Sequence, residues 1–170
     1  MTKEHFLNLA AFNMWANKKI CDFISANLDE TLSGREIVSS FSSVKKTVYH
    51  LWDAETIWLE RLHGNSLRDG PGKNFTGTLQ NGLANFLGNS KALREFLSEQ
   101  TEDFFAGSIT FTHRSGKVYT QEINAVLTHV MNHSTFHRGQ LITMFRQLGF
   151  VEDIPKTDFI EYYREKKELQ

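Results

Sequence analysis

At 170 residues, with 40% hydrophobic and 23% charged residues, the chain has room for one full core and is neither disordered nor fibrous. The net charge of −1, with Lys and Arg dispersed, offers no basic face for a phosphate backbone, so no nucleic-acid partner is expected. Cys21 is the one cysteine, which excludes a disulfide framework and a cysteine zinc cage; no apolar run approaches ~18 residues, so no membrane span is read and a cytoplasmic location is the expectation.

Only two prolines interrupt the chain, which favours long helices. The first is expected from about Thr2 to Asn27, with Phe6, Leu9, Ala10, Ala16, Ile20 and Ile24 as its apolar stripe. A loop through Thr31-Leu-Ser-Gly34 follows, and a second long helix starts near Ser42-Ser43 and ends at His63-Gly64. The stretch 65–77, with Gly70-Pro71-Gly72, reads as a loop. A third helix carries Leu79, Leu83, Phe86, Leu87, Leu93 and Leu97, weakened by Gly82 and Gly88. Alternation across 108–120, around Arg114-Ser115-Gly116, predicts a short hairpin. The fourth long helix runs from about Gln121 to Leu148 and stops at Gly149; a short last helix spans Thr157 to Lys167. These elements describe one all-α domain over residues 1–170, a four-helix bundle.

Three of the seven histidines, His129, His133 and His137, share the fourth long helix at intervals of four. Neighbours in this series lie about 6 Å apart along the axis and about 40° apart around it, so an adjacent pair can chelate one ion whereas His129 and His137 cannot. On a helical wheel His137 falls within the apolar stripe, His133 on its flank and His129 at its edge, which favours the pair His133 and His137. The bland alternative is boundary histidines bonded to their neighbours. Two ligands under-coordinate a catalytic metal, so a third must come from elsewhere.

In the second long helix, periodicity points Glu55 into the core and sets His50 roughly 120° from the stripe. A buried carboxylate needs a donor or a metal, and Asn13 and Asn17, in the middle of the first helix's stripe, offer amides; an Asn–Glu hydrogen bond is the simplest reading. Trp15 lies opposite that stripe, facing a subunit contact or the terminal segment. Glu60-Arg-Leu-His63 is a single Glu-x-x-His, where di-iron bundles need two and further glutamates. His5 and His113 read as surface residues, and no His-Glu-x-x-His, phosphate loop or nucleophile elbow is present.

Three passages resemble the DinB family of DinB/YfiT-like metalloenzymes. They are Phe12-Asn-Met-Trp15-Ala-Asn17, Val48-Tyr-His50-Leu-Trp-Asp-Ala-Glu55-Thr-Ile-Trp58-Leu, and His129-Val-Met-Asn-His133-Ser-Thr-Phe-His137-Arg-Gly-Gln140 with Leu148-Gly149 after it. The tail Ile154-Pro-Lys-Thr-Asp158-Phe-Ile160 is similar as well. The resemblance implies an up-up-down-down bundle, often a homodimer, with a divalent metal held by His50, His133 and His137. It selects the same pair on the fourth helix as the wheel and replaces Glu55 by His50 on the second, leaving His129 beside the ligands.

Three neutral imidazoles leave positions open for water or substrate, zinc being the favoured ion and nickel, iron, manganese and copper being compatible. The implied activity on a small molecule is hydrolysis by metal-bound water or transfer of a low-molecular-weight thiol. The competing class is a non-catalytic metal-binding stress-response protein. Glu55 is the candidate for a proton shuttle or an orienting group. Arg138 is a candidate for holding an anionic substrate, although it lies on the side of its helix away from His133, where a surface or interhelical ion pair is the stronger expectation.

Overall fold

The computed structural model describes residues 1–168. Three of the four long helices start at a short polar side chain that accepts from an otherwise unpaired backbone N–H. Thr2 opens α1 (Lys3–Asn27), Ser43 opens α3 (Val44–Leu62) and Thr78 opens α4 (Leu79–Glu99). Helix α6 (Ile123–Gln147) instead follows directly on the hairpin, and Gly149, at φ +99°, ends it as the sequence predicts. The expected loop at Thr31–Gly34 is instead a short helix, α2 (Glu30–Gly34), because Asp29 accepts from Leu32 N at 2.7 Å and nucleates a turn. A second short helix, α5 (Glu102–Ala106), leads into the hairpin of β1 (Ser108–Thr112) and β2 (Val118–Glu122), which pair antiparallel with Thr110 opposite Thr120. The final helix is α7 (Phe159–Glu168).

The four long helices close a bundle in which α1 neighbours α4 and α6, and α3 neighbours the same two. Their directions follow from which ends share a core. One cluster joins Ile20 and Ile24 to Val44, Val48, Leu79, Leu83, Leu141 and Phe145; the other joins Phe6 and Ala10 to Leu59, Leu62, Leu93, Leu97, Ile123 and Leu127. Along the chain the order is therefore up, down, down, up. The four-helix bundle implied by the resemblance is present, but the up-up-down-down chain order expected with it is corrected, because α3 and α4 run parallel to each other and antiparallel to α1 and α6. Because α3 and α4 are parallel, the connection between them must travel back along the bundle, which is why residues 63–78 form a long loop.

Trp15 faces the terminal segment: its Nε1–H donates to Glu165 at 2.8 Å and its ring meets Tyr162 at 5.6 Å. The subunit-contact alternative for this face is thereby set aside, since α7 covers it. Gly82 also finds its reason. A Cβ there would stand 2.5 Å from the Tyr49 ring, so the glycine lets α3 and α4 approach, whereas Gly88 faces open space. We expect Gly88→Ala to stabilise the protein by up to about 1 kcal/mol through helix propensity. Gly82→Ala should lose about 1 kcal/mol or more net, because the buried Tyr49 ring must move. Urea denaturation of both variants measures the difference in sign.

Candidate metal centre

His50 projects from α3 towards its antiparallel neighbour α6, where His133 and His137 occupy successive turns. Ring centroids are 4.9 Å apart for His50 and His133, 4.6 Å for His50 and His137, and 4.4 Å for His133 and His137. One ring nitrogen from each lies within 4.8 Å of the others, and the Nε2 atoms of His50 and His133 are 2.9 Å apart. Nitrogens bound at ~2.1 Å to one centre sit roughly 3–3.5 Å from each other, so the donor set fits an ion after a modest inward turn of a ring. No fourth His, Cys, Asp or Glu joins this cluster among the described residues.

The surroundings keep the rings neutral and aimed. Burial lowers the pKa of His50 to about 4 and that of His133 to about 3, with neighbouring histidines adding to both shifts; burial also lowers His137 and His129. Neutral imidazole is the form that ligates. His137 Nδ1 lies 2.7 Å from Gln140 Oε1, and since only an N–H can bond that oxygen, Nε2 is left bare as an acceptor. Gln140 is fixed in turn by donating to Ser40 Oγ at 2.8 Å. Phe41 stacks on His50 at 4.1 Å and covers one side of the site.

A pocket of about 550 Å³ opens beside His50 and His133. Its floor is the groove between α3 and α6, and its walls are the irregular parts of the chain. The 65–77 loop is tied to α3 where Gly72 N donates to Asp53 Oδ1 at 2.5 Å. The hairpin turn brings Arg114 and His113 to the rim, so His113 contributes to a wall rather than to an isolated surface. His129 lies against Trp58, at 5.5 Å between rings, and lines the pocket outside the three-histidine cluster.

The comparison with known families matches the DinB family over residues 1–168. The chain belongs to the DinB family. A curated relative, protein DinB of Bacillus subtilis, is 26% identical over 167 residues, covering 84% of this chain and 85% of that protein. Among solved structures, a DinB-like protein from Bacillus cereus superposes with a TM-score of 0.71 at 22% identity, over 91% of this chain and 97% of that one. YfiT from B. subtilis superposes at 0.63 and 17% identity, over 89% and 91%, and is described as a probable metal-dependent hydrolase with an unusual four-helix bundle topology. At these identities the structures establish the shared bundle.

Glu55 and Arg138, the two other polar candidates in this DinB-family chain, belong to a different part of the interior. Five residues past His50, Glu55 is turned about 140° from it around α3. It is wholly buried and accepts from Asn13 Nδ2 at 2.7 Å, Ser90 Oγ at 2.7 Å and Asn89 Nδ2 at 3.1 Å. The expected Asn–Glu bond is therefore present, and it is one link of a ring. Arg138 Nη1 donates to Asn13 Oδ1 at 2.6 Å and to Asn17 Oδ1 at 2.9 Å, and Asn17 Nδ2 donates to Ser90 Oγ at 3.1 Å. Of the two placements expected for Arg138, the surface one is set aside and the interhelical one stands: it is 1% exposed and tied to α1 and Glu55, and it does not line the pocket, so it is no candidate for holding a substrate there. Met131 and Phe145, one heptad either side of Arg138 and both buried, carried the signal that the wheel's stripe left out.

Burial raises the Glu55 pKa against its hydrogen bonds, and burial lowers that of Arg138 to about 10 against the attraction of Glu55. Removing one charge strands the other in the core. Glu55→Ala should therefore cost about 3–5 kcal/mol in chemical denaturation, and Glu55→Gln less. Unchanged stability with lost activity in Glu55→Gln would instead mark Glu55 as a proton-transfer group.

Proposed function

We propose that His50, His133 and His137 hold one divalent metal ion and that this DinB-family protein is a metal-dependent hydrolase of a small molecule. The observation that carries this reading is the convergence of three imidazole nitrogens from two helices beside an open pocket, with no fourth ligating side chain in the cluster among the described residues. A structural metal site is ordinarily closed by four protein ligands, whereas a catalytic one keeps a position for water or substrate. YfiT, described as a probable metal-dependent hydrolase on the same fold, supports the reading.

When bound, an ion of this kind supplies Lewis acidity and lowers the pKa of bound water towards ~7. The chain's own contribution is positional. Desolvation keeps His50 and His133 unprotonated at neutral pH, Gln140 selects the His137 tautomer, and Phe41 shields the ring of His50. Zinc suits a three-histidine set; nickel, iron, manganese and copper are compatible with it, since availability and geometry decide loading.

Elemental analysis of protein purified without a histidine tag tests the assignment. About one divalent ion per chain is expected, with stoichiometric metal lost from His50→Ala and from His137→Ala. Full retention in both variants would overturn the ligand assignment. Turnover of ester or amide substrates in the absence of thiol is the expected activity; turnover only on addition of a low-molecular-weight thiol would replace hydrolysis by thiol transfer at the same centre.

A further inference from the structure

Two arginines are buried among the described residues, each with an unpartnered Nε, and of the two only Arg138 has a carboxylate in its network. Arg138 has the Glu55 network around it. Arg61 is 7% exposed, its Nε is buried without a hydrogen-bond partner, and burial is the one influence on its pKa, which it lowers. No carboxylate among the described residues forms an ion pair with it. Only Nε is among the buried unpartnered atoms of this guanidinium, so its Nη groups keep their attraction for an anion that enters the pocket. Two rings hold it in place, with Trp58 at 4.5 Å and Phe111 at 4.1 Å from its central carbon, and these offset part of the cost of its burial.

Arg61 lines the same pocket as His50 and His133. It follows His50 by eleven residues on α3, which is three turns and about 16 Å of axis on nearly the same face. The floor between them carries Trp58 and His129. The rim adds Lys46, Arg68, Lys73 and Arg114 against Asp53 and Asp69, an excess of three positive charges with Arg61 included, in a chain whose net charge is −1. Of those acids, Asp69 pairs with Lys73 at 2.8 Å and Asp53 accepts from Gly72 N. Such a concave surface concentrates anions.

From this geometry we infer that Arg61 binds the oxyanion of an elongated small-molecule substrate, a carboxylate or a phosphate at the end remote from the three histidines. The placement of the reacting end rests on the hydrolase reading, but the anion site itself does not. A guanidinium fixed by aromatic rings presents its N–H edge to a planar carboxylate or to two phosphate oxygens.

Ligand-observed NMR titration of the metal-free protein tests this, with benzoate and phenyl phosphate as anionic probes and benzamide as the neutral counterpart. Saturable binding of at least one anion is expected, about tenfold or more tighter than benzamide. Arg61→Met should remove that preference, Arg61→Lys should keep part of it, and Arg68→Met on the rim should change it little. Whichever anion binds tighter identifies the oxyanion. Equal affinity for benzoate, phenyl phosphate and benzamide in the wild type would overturn the inference, as would an unchanged preference in Arg61→Met, or equal losses in Arg61→Met and Arg68→Met. Should Arg61→Met fail to fold, the Arg61→Lys titration decides: an anion preference unchanged from wild type contradicts the assignment. Metal content of Arg61→Met should match the wild type, so loss of the anion site and failure of the histidine site are separately visible.

Discussion

A closed ring of hydrogen bonds through Glu55, Asn13, Arg138, Asn17 and Ser90 sets the register of the bundle, and the site depends on that register. The ring takes one or two members from each of α1, α3, α4 and α6 and lies between the two apolar clusters. Apolar side chains alone tolerate sliding and repacking, whereas a buried charge pair bridged by amides fits only one alignment of the four helices. Arg138 follows His137 directly on α6, and Glu55 lies less than two turns beyond His50 on α3. Holding Arg138 and Glu55 in register therefore holds the histidines opposite one another. The same division keeps chemistries apart, with charge compensation on the inner faces and the histidine cluster at the groove between α3 and α6.

The bundle supplies the three clustered histidines, and the irregular segments supply the pocket. Phe41 comes from the approach to α3, the cationic loop from the α3–α4 crossover, and Phe111 and Arg114 from the hairpin. The crossover is long because α3 and α4 run parallel, so the same helix order is what brings a loop to the side of the site. Ser66 Oγ accepts from Thr112 N at 3.0 Å, joining loop and hairpin into one wall.

Much of this was legible in the residues. Four apolar stripes, the cap at Ser42-Ser43 and the stops Gly64 and Gly149 define the long helices, because these are local properties. Spacing of four on α6 allows either adjacent pair, and the helical wheel favours His133 and His137. The partner on α3 was not readable from periodicity, which favoured Glu55 at the centre of the stripe; His50 faces the groove between two helices, a direction a single-helix wheel does not represent, and only the resemblance to the DinB family supplied it. For Arg138 the wheel gives only a direction away from His133, which leaves a surface and an interhelical ion pair both open; its buried heptad neighbours Met131 and Phe145, and the need of Asn13 and Asn17 for partners, decide for the interior. Arg61 was passed over as part of Glu60-Arg-Leu-His63, since its isolation from carboxylates is a property of the folded chain alone.

The most direct test of the central claim is an X-ray absorption spectrum at the edge of the bound metal in wild-type protein. The account predicts three imidazole ligands at about 2.0–2.1 Å completed by oxygen from solvent, with no sulfur scatterer. A shell closed by a fourth protein ligand, or one containing fewer than three imidazoles, would contradict it.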